Sequence, residues 1–265
     1  MYIRSNIHTH TDWSDGKDPM ESVIATAVEK GFHTIGISDH AYVPFCSQWS
    51  LKAGQESAYM AEMRRLREKF AGKIDVLCGI EYGYEGESPE LDYDYFIGSL
   101  HSLKINGADY EVDHDPAHFQ ALLDCCHGDS LEVAKRYYND LAEFTLKCRP
   151  TVLGHFDLLT KFSMVELSDA YWYCAEEAMK AVLPAVQVVE VNTGAMSRGW
   201  RDEAYPDDHI LKLVLQLGGK IILSSDSHQA CHLDYAFPET LERLRRVGFT
   251  IVYEMTKNGF VDVKL

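Results

Sequence analysis

The sequence predicts an α/β fold built on one continuous parallel sheet. Short apolar segments alternate with amphipathic stretches along the 265 residues. This alternation gives about seven strand–helix units, the pattern of parallel sheets whose strands are joined by helices. No Pro- or Ser-rich linker interrupts it, so we expect residues 1–265 to form a single domain. The pattern alone leaves open whether the sheet closes into a barrel or stays open between two layers of helices.

The first half of the chain contains four predicted strands and two predicted helices. The apolar segment 3–7 predicts the first strand. Asp18-Pro19 predicts the start of a helix, because Asp caps free N–H groups, Pro fits the first helical position and Glu21 completes the capping-box spacing. Gly31 is placed to end this helix. The other predicted elements are strands at 34–38, 74–80 and 96–100 and a helix at 56–70.

The second half follows the same alternation after an interruption. Residues 106–129 are polar and contain histidine, and we expect an irregular insertion whose role is open. Residues 193–208 predict a loop. Helices are predicted at 131–147, 169–183, 209–217 and 239–247, and strands at 151–153, 188–191, 220–224, 250–253 and 260–263.

The charge and the apolar pattern exclude several classes of partner. Lys and Arg number 25 and Asp and Glu 41, which gives a formal net charge of −16. This charge repels long nucleic acids. No apolar run approaches the ~20 residues of a membrane span, and residues 1–6 lack a signal-peptide pattern. The seven cysteines form an odd set without a Cys-x-x-Cys pair, which favours reduced thiols. We therefore expect a cytoplasmic protein without membrane association. Assembly into a homo-oligomer is left open.

Metal-binding side chains follow most of the predicted strands. The carboxyl ends of parallel strands meet at one rim, so side chains at these ends are expected to converge. His8 and His10 alternate along extended chain, and both imidazoles therefore point the same way. The complete set is His8, His10, Asp39, His40, Glu81, His101, His155, Asp226 and His228.

These donors predict a cluster of divalent cations. Imidazole nitrogen and carboxylate oxygen suit Zn²⁺, Mn²⁺ or Fe²⁺, whereas ions that prefer thiolate are excluded. A cation lowers the pKa of bound water towards ~7, and phosphate ester cleavage fits such a cluster. We expect Asp39 and Asp157 to orient imidazoles from behind.

The motifs around these residues resemble those of the polymerase-and-histidinol-phosphatase (PHP) family. The matching segments are Ile7-His8-Thr9-His10-Thr11, Ser14-Asp15-Gly16, Ser38-Asp39-His40, Gly79-Ile80-Glu81, Gly98-Ser99-Leu100-His101, Gly154-His155-Phe156-Asp157 and Ser225-Asp226-Ser227-His228. They extend from the first strand to the last and are most similar to those of the monofunctional histidinol-phosphatases. The resemblance implies a distorted (β/α)7 barrel, similar to a TIM barrel, with three divalent metal ions at the C-terminal ends of its strands.

The resemblance also implies how the ligands divide among the three ions. The first ion would be held by His8, His10, Glu81 and Asp226. The second would share Glu81 and add His101 and His155. The third would be held by His40 and His228, with a carboxylate after the first strand that is either Asp15 or Asp12.

The implied reaction is hydrolysis of L-histidinol phosphate to L-histidinol and phosphate in histidine biosynthesis. We expect a hydroxide between the first two ions to attack phosphorus, which gives Glu81 and Asp226 catalytic roles. Arg198 is predicted to clamp the phosphate, because guanidinium matches phosphate oxygens bidentately. Asn192 is predicted to contact the substrate at a strand end. Weaker candidates for the phosphate are Arg201 and Lys161.

The small phosphorylated substrate carries an ammonium and an imidazole, which suit carboxylates and an aromatic wall. Aromatic candidates in the rim loops are Trp13, Tyr42, Trp49, Tyr82 and Tyr110.

Two other functions remain open. The first is a PHP-type phosphoesterase for a nucleotide, an oligonucleotide or another small phosphoester, and the second is a metal-binding module without catalysis.

Overall fold

The computed structural model describes residues 2–45, 48–83 and 92–265, so Cys46 lies outside the described residues. The strands are β1 (Ser5–Asn6), β2 (Thr34–Ile37), β3 (Asp75–Tyr82), β4 (Tyr95–Gly98), β5 (Ser102–Ile105), β6 (Ala108–Glu111), β7 (Val152–Leu153), β8 (Val188–Asn192), β9 (Ile221–Ser224), β10 (Ile251–Thr256) and β11 (Gly259–Lys264). The helices are α1 (Met20–Glu29), α2 (Glu56–Lys69), α3 (Pro116–Cys125), α4 (Ser130–Cys148), α5 (Asp169–Val182), α6 (Gly194–Ser197), α7 (Asp208–Gln216) and α8 (Phe237–Val247).

Nine strands form one sheet in the order β1-β2-β3-β4-β7-β8-β9-β10-β11. Neighbouring strands pair in parallel except β10 and β11, which are antiparallel. A parallel bridge between Thr9 and Ser227 brings the chain after β1 against the chain after β9. The predicted α/β fold with a continuous parallel sheet is therefore confirmed.

The sheet curves around an apolar core drawn from strands along its whole width. The side chains of this inner core are Ile7, Leu77, Tyr95, Ile97, Val152, Val188, Ile222 and Met255. Because Ile7 follows β1 and Met255 lies on β10, residues from both sides of the sheet meet in one cluster. Most helices pack outside, against a second and larger apolar cluster.

Tyr95 fills the part of the inner core beside β2 and β3. Its hydroxyl donates a hydrogen bond of 2.6 Å to the carbonyl of Ile7. A Cβ atom on Gly79 would lie 2.2 Å from the Tyr95 ring, and one on Gly36 would lie 2.1 Å from the Tyr95 hydroxyl. Both strands therefore need glycine where the tyrosine crosses them.

We expect Gly79→Ala to lower the free energy of unfolding by about 1–3 kcal/mol, since the added methyl overpacks the core. Thermal denaturation of the variant measures this loss. Combined with Tyr95→Leu, the substitution is expected to cost less than the sum of the two single changes, because the clash is gone. Strictly additive losses would contradict this account of the core.

The expected irregular insertion at 106–129 is wrong. Asn106 and Gly107 have φ values of 52° and 86° and form the two-residue turn of a hairpin between β5 and β6, the conformation that an Asn-Gly pair favours. Helix α3 follows, and Asp115 caps it by accepting hydrogen bonds from the backbone N–H groups of Ala117 and His118.

Two local predictions are also corrected. Asp18 does not cap the first helix: α1 begins at Met20, and the Asp18 carboxylate accepts a hydrogen bond of 2.7 Å from the N–H of Ala230. The predicted loop 193–208 contains the short helix α6.

The six cysteines among the described residues are free. No helix in the described ranges has the length and apolar character needed to span a membrane.

Candidate metal centre

His8 and His10 extend from β1 into the carboxyl-end rim of the sheet. Thr9 between them is held on the opposite side, because its hydroxyl donates to the carbonyl of Gly36 at 2.7 Å. Both imidazoles therefore face inward, with ring centroids 5.1 Å apart. Their Nε2 atoms lie 3.2 Å and 3.5 Å from the same Glu81 oxygen, Oε2. The predicted common direction of the two rings is confirmed.

Glu81, on β3, lies at the centre of five imidazoles. Oε2 is 3.0 Å from His40 Nδ1, in addition to its contacts with the first two histidines. Oε1 is 3.2 Å from His101 Nε2 and 2.9 Å from His155 Nε2. The residues come from β3 and from the loops after β1, β2, β4 and β7. Convergence at the carboxyl ends of the strands thus brings together side chains that are far apart in sequence.

Asp226 approaches the same cluster from the chain after β9. Its Oδ1 lies 3.2 Å from His10 Nε2 and 3.7 Å from His8 Nε2. The backbone of Asp226 has a φ of 46°, in the left-handed region that non-glycine residues rarely adopt. Such strain persists only where surrounding contacts impose it, and it is common at functional sites.

Asp15, rather than Asp12, joins the ligand cluster. Asp15 Oδ2 lies 3.1 Å from His228 Nε2, and Oδ1 lies 3.8 Å from both His40 Nε2 and His10 Nδ1. Asp12 is exposed to solvent. Of the two carboxylates that the sequence left open, the structure therefore places Asp15 beside the histidines.

The ligand atoms fall into four groups within which all atoms lie no more than 4.8 Å apart. Three groups contain only buried residues: His8, His10 and Asp226; His8, Glu81 and His155; and His40, Glu81 and His101. The fourth group contains His10, Asp15, His40 and His228. The groups overlap, so several neighbouring cations can share ligands. His8, His10, His40 and Glu81 each belong to two groups, whereas the sequence-based division shares only Glu81 between two ions.

The chemistry of this cluster fits divalent cations. Among the described residues, several buried ligand atoms have no hydrogen-bond partner: His8 Nε2, His10 Nδ1 and Nε2, and Glu81 Oε2. Leaving such atoms unpaired in the interior is costly. A cation would satisfy them together, and an all-nitrogen-and-oxygen set suits Zn²⁺, Mn²⁺ or Fe²⁺.

Burial and neighbouring charges shift the pKa values of the carboxylates and of the histidines of the cluster in different directions. Burial raises the pKa of Glu81, but His8, His40 and His101 outweigh it and hold the pKa well below its usual range. Burial is likewise outweighed at Asp226, whose pKa Arg198 and His8 lower. For His10, burial and then the charges of His228 and His40 lower the pKa to about 3. These shifts favour charged carboxylates and a neutral His10, the states of metal ligands. Burial also lowers the pKa values of His8, His40 and His101, but the neighbouring carboxylates outweigh it and raise all three, so a bound cation would displace protons from them.

Glu190 is a functional residue that the sequence interpretation missed. It lies on β8, is fully buried, and accepts from His8 Nδ1 at 2.5 Å and from the His155 N–H at 2.8 Å. Ser224 and Asn192 donate to the same carboxylate. A carboxylate behind a ligating imidazole fixes the orientation of its ring and raises its basicity. The signal in the sequence was an acidic residue within the apolar strand 188–192.

The roles predicted for Asp39 and Asp157 as imidazole partners are wrong. Asp39 accepts from the N–H and hydroxyl of Thr11 and from the Ser14 hydroxyl, and so holds the loop after β1. Asp157 accepts from the N–H of Asp207. Asp39 and Asp157 thus each hold a backbone segment in place, and the His8 imidazole is instead positioned by Glu190.

We expect Glu190→Gln to weaken metal binding by about 10–100-fold, the usual effect of removing such a partner. Competition with a chelator measures the affinity. Glu254→Gln is the matched control, because Glu254 is also buried and accepts from His33 Nε2 at 2.8 Å without belonging to the cluster. Equal affinities of the Glu190 variant and the control would refute the orienting role.

A cavity of about 650 Å³ opens beside the cluster. Its walls include the ligands Asp15, His40, His101, His155, Asp226 and His228, together with Phe45, Gln48, Trp49, Glu111, Asp113, His114, His118, Lys161 and Arg198. Trp49 is thus the one aromatic candidate from the sequence that lines this cavity among the described residues. Trp13 instead packs against Tyr59, and Tyr82 against Phe144.

Arg198 reaches the cavity from the end of α6. Its Nη2 lies 3.0 Å from Asp226 Oδ2, and Nη1 donates to the Asp226 carbonyl at 3.2 Å. A Cβ atom on Gly194 would lie 2.7 Å from that carboxylate and 2.8 Å from the guanidinium, so this ion pair requires glycine beneath it.

Of the other residues predicted to contact the substrate, only Lys161 lines the cavity. Asn192 is buried and outside the cavity lining; its amide donates to Glu190 and accepts from the Gly194 N–H, so the predicted substrate contact is replaced by a structural one. Lys161 lines the cavity and donates to the Asp113 carbonyl at 2.6 Å. Arg201 bonds to the Thr160 hydroxyl, away from the cavity.

A family model described as the PHP domain matches residues 6–194, about seven-tenths of the chain. The chain belongs to the PHP family. Relatives include the "Probable histidinol-phosphatase" of Deinococcus radiodurans, which is 26% identical over 261 residues, with 92% of this chain and 93% of the relative covered. The "Histidinol-phosphatase" of Bacillus subtilis is 25% identical over 262 residues, with 89% and 97% covered.

Two solved structures have the same fold as this chain. A histidinol phosphate phosphatase from Lactococcus lactis, complexed with zinc, L-histidinol and phosphate, has a TM-score of 0.70 at 18% identity, covering 97% of this chain and 98% of the other. A putative histidinol phosphatase from Listeria monocytogenes has a TM-score of 0.69 at 20% identity, covering 89% and 99%. The match to the family model confirms the family predicted from the motifs.

Proposed function

We propose that the protein is a metal-dependent phosphomonoesterase that hydrolyses L-histidinol phosphate to L-histidinol and phosphate. The observation that carries the proposal is the buried Glu81 carboxylate, which five imidazoles surround. Three of them, His40, His101 and His155, line an open cavity. Relatives named histidinol-phosphatase match nearly the full length of the chain, which supports the substrate.

Three divalent ions, drawn from Zn²⁺, Mn²⁺ and Fe²⁺, are proposed as cofactors. When bound, such ions activate water and neutralise the charge of a phosphoryl group. Glu81 would bridge two of them, because its two oxygens face different imidazoles. Asp226 would hold one and orient Arg198. The guanidinium of Arg198 would donate to phosphate oxygens, and the indole of Trp49 would exclude water from one wall.

We also propose the size of the substrate, the location of the protein and the extent of the domain. A net charge of −16 favours a small phosphorylated metabolite over a long nucleic acid. A cytoplasmic location fits a biosynthetic reaction on a soluble metabolite. Residues 1–265 are proposed to act as one PHP-type domain. Assembly into a homo-oligomer remains a matter for measurement of the mass in solution.

Phosphate release tests this function directly. The protein is loaded separately with Zn²⁺, Mn²⁺ or Fe²⁺ and supplied with L-histidinol phosphate, nucleotides and sugar phosphates. We expect the highest kcat/KM for L-histidinol phosphate. A preference for nucleotides by orders of magnitude would favour the alternative phosphoesterase, and failure to hydrolyse any substrate would favour a metal-binding module.

We expect Arg198→Ala to lower kcat/KM by about 10–100-fold, mainly through KM, since a charge-assisted contact to phosphate is lost. Steady-state kinetics and metal analysis are measured together. Arg201→Ala is the matched control, because Arg201 lies outside the cavity lining. Loss of metal from the Arg198 variant would instead assign Arg198 to holding Asp226, and normal kinetics would exclude both roles.

A further inference from the structure

Strand β11 forms one edge of the main sheet. It stands last in the sheet order and pairs with β10 on one side, and no strand among the described residues pairs with its other side. Val261, Asp262 and Lys264 on this strand are exposed to solvent. An exposed strand edge presents backbone N–H and C=O groups to which another strand can bond. The outer edge of β11 is therefore open to strand addition.

The backbone groups of every second residue of β11 point away from β10. The N–H of Leu265 donates to the Thr250 carbonyl at 2.9 Å, which fixes the phase of the ladder between the two strands. In an antiparallel ladder, hydrogen-bonded pairs alternate with pairs whose N–H and C=O groups face outwards. The outward groups of β11 therefore belong to Phe260, Asp262 and Lys264.

Asp262 and Lys264 carry opposite charges on one face of this edge, because side chains two residues apart in a strand share a face. Within the hairpin, Asp262 stands opposite Tyr253 and Lys264 opposite Ile251. Neither charge thus meets an opposite charge across the ladder, and neither side chain forms an ion pair with any residue of the described ranges. The two charges are available to a strand that pairs with the outer edge.

A second copy of β11 supplies matching charges in one register. Antiparallel pairing about a two-fold axis at Val263 sets Asp262 opposite the partner's Lys264, and the symmetry repeats this pair on the other side of the axis. The outward backbone groups of these residues then exchange hydrogen bonds. Val263 meets its own symmetry copy, and Val261 stands opposite the partner's Leu265.

The other symmetric registers lack this match. An axis at Asp262 or at Lys264 would set two like charges directly opposite each other, and symmetric parallel pairing would do so at both positions. Like charges in directly opposite positions destabilise a strand pair. An axis at Val261 would set Asp262 opposite the partner's Phe260, so that no ion pair forms. The order of charges along β11 therefore selects the axis at Val263.

We propose that β11 is a dimerisation strand through which two copies of this chain join their sheets about a two-fold axis at Val263. The inference goes beyond the proposed function and does not depend on it. A contact confined to one strand edge is small, and small interfaces give weak complexes. The net charge of −16 on each copy adds long-range repulsion. The dimer is therefore expected to dissociate on dilution.

Reversal of single charges tests the register. Asp262→Lys and Lys264→Asp each set like charges opposite one another on both sides of the axis. Sedimentation equilibrium from about 1 µM to about 1 mM protein, in about 0.15 M salt, measures the dissociation constant. We expect wild-type protein to change from monomer to dimer over this range. Each single variant is expected to raise the dissociation constant at least about tenfold, since two attractive pairs become repulsive.

The variant with both substitutions exchanges the two charges and is expected to dimerise as the wild-type protein does. Overall charge would give a different pattern, because Asp262→Lys makes the chain less negative and Lys264→Asp makes it more negative. An effect of overall charge would therefore strengthen one dimer and weaken the other. Asp202→Lys, at an exposed position in the loop after α6, is the matched control and is expected to dimerise normally.

Hydrogen exchange locates the contact. The amides of Asp262 and Lys264 are expected to exchange more slowly as the concentration of dimer rises, and thermal denaturation shows that each variant is folded. Wild-type protein that stays monomeric up to about 1 mM would overturn the proposal. So would a dimer whose dissociation constant is unchanged in both single variants, because its interface would then lie elsewhere. Dimerisation lost in the single variants and not restored in the double variant would overturn the register.

Discussion

Replacement of Glu81 by glutamine is expected to give a protein that has lost both bound metal and phosphatase activity. Glutamine keeps the size of the side chain but removes the negative charge that faces five imidazoles. It also replaces one oxygen by an amide nitrogen, which cannot ligate a cation in the same way. Since bound cations contribute several kcal/mol to such catalysis, we expect kcat/KM to fall on the order of a thousandfold or more.

Metal analysis and phosphate release from the same preparation measure both effects. Glu254→Gln again serves as the control for removal of a buried carboxylate, because Glu254 bonds to His33 outside the cluster. The control should retain its full metal content and rate. A Glu81 variant with normal metal content and near-normal kcat/KM would show that this carboxylate is not the shared ligand.

His10→Ala is expected to have the second largest effect. His10 belongs to two of the four ligand groups, and among the described residues neither of its ring nitrogens has a hydrogen-bond partner. Its ring stacks on that of His228 at a centroid distance of 4.3 Å. Removal of the imidazole therefore takes one ligand from each of these two groups and leaves a space where the ring was. We expect loss of at least one metal ion and a decrease in kcat/KM on the order of a thousandfold.

The appropriate control is His209→Ala. His209 is a surface histidine that lies 2.8 Å from Glu176 and 4.4 Å from the ring of Trp172, away from the cluster. This variant is expected to bind metal and turn over substrate normally. Restoration of activity in the His10 variant by added imidazole would support the ligand role, whereas an unchanged metal content would contradict it.

The sequence predicted the convergence of these side chains well because parallel strands impose a common geometry. His8, Glu81 and His155 are far apart in sequence, but each lies at or near the carboxyl end of a strand, and these ends form one rim. Burial then leaves little freedom for the side chains. The identity of the carboxylate after β1 was open in the sequence, since Asp12 and Asp15 share one loop, and only the fold of that loop points one of them inward.

The sequence did not predict the residues that support the ligands. Glu190 lies within a buried strand, and its partner His8 is distant in the chain. Only the register between the strands brings the two together. Asp39 was expected to orient an imidazole, but its carboxylate contacts Thr11 and Ser14 in the loop after β1. Supporting contacts depend on tertiary positions that periodicity does not encode.

The segment 102–125, which forms a hairpin and a helix, was predicted incorrectly for a different reason. The Asn106-Gly107 turn was visible in the sequence, yet the polar character of the segment favoured irregular structure. The fold gives this segment a role in the cavity wall through Glu111, Asp113 and His114.

The most direct test of the shared metal cluster is anomalous diffraction from crystals loaded with Zn²⁺, with data collected on both sides of the zinc absorption edge. The account predicts neighbouring anomalous peaks at about 2.0–2.2 Å from ligand atoms of His8, Glu81, His101, His155 and Asp226, with Glu81 contacting two of them. Peaks that lie elsewhere on the protein, with this cluster free of metal, would contradict it.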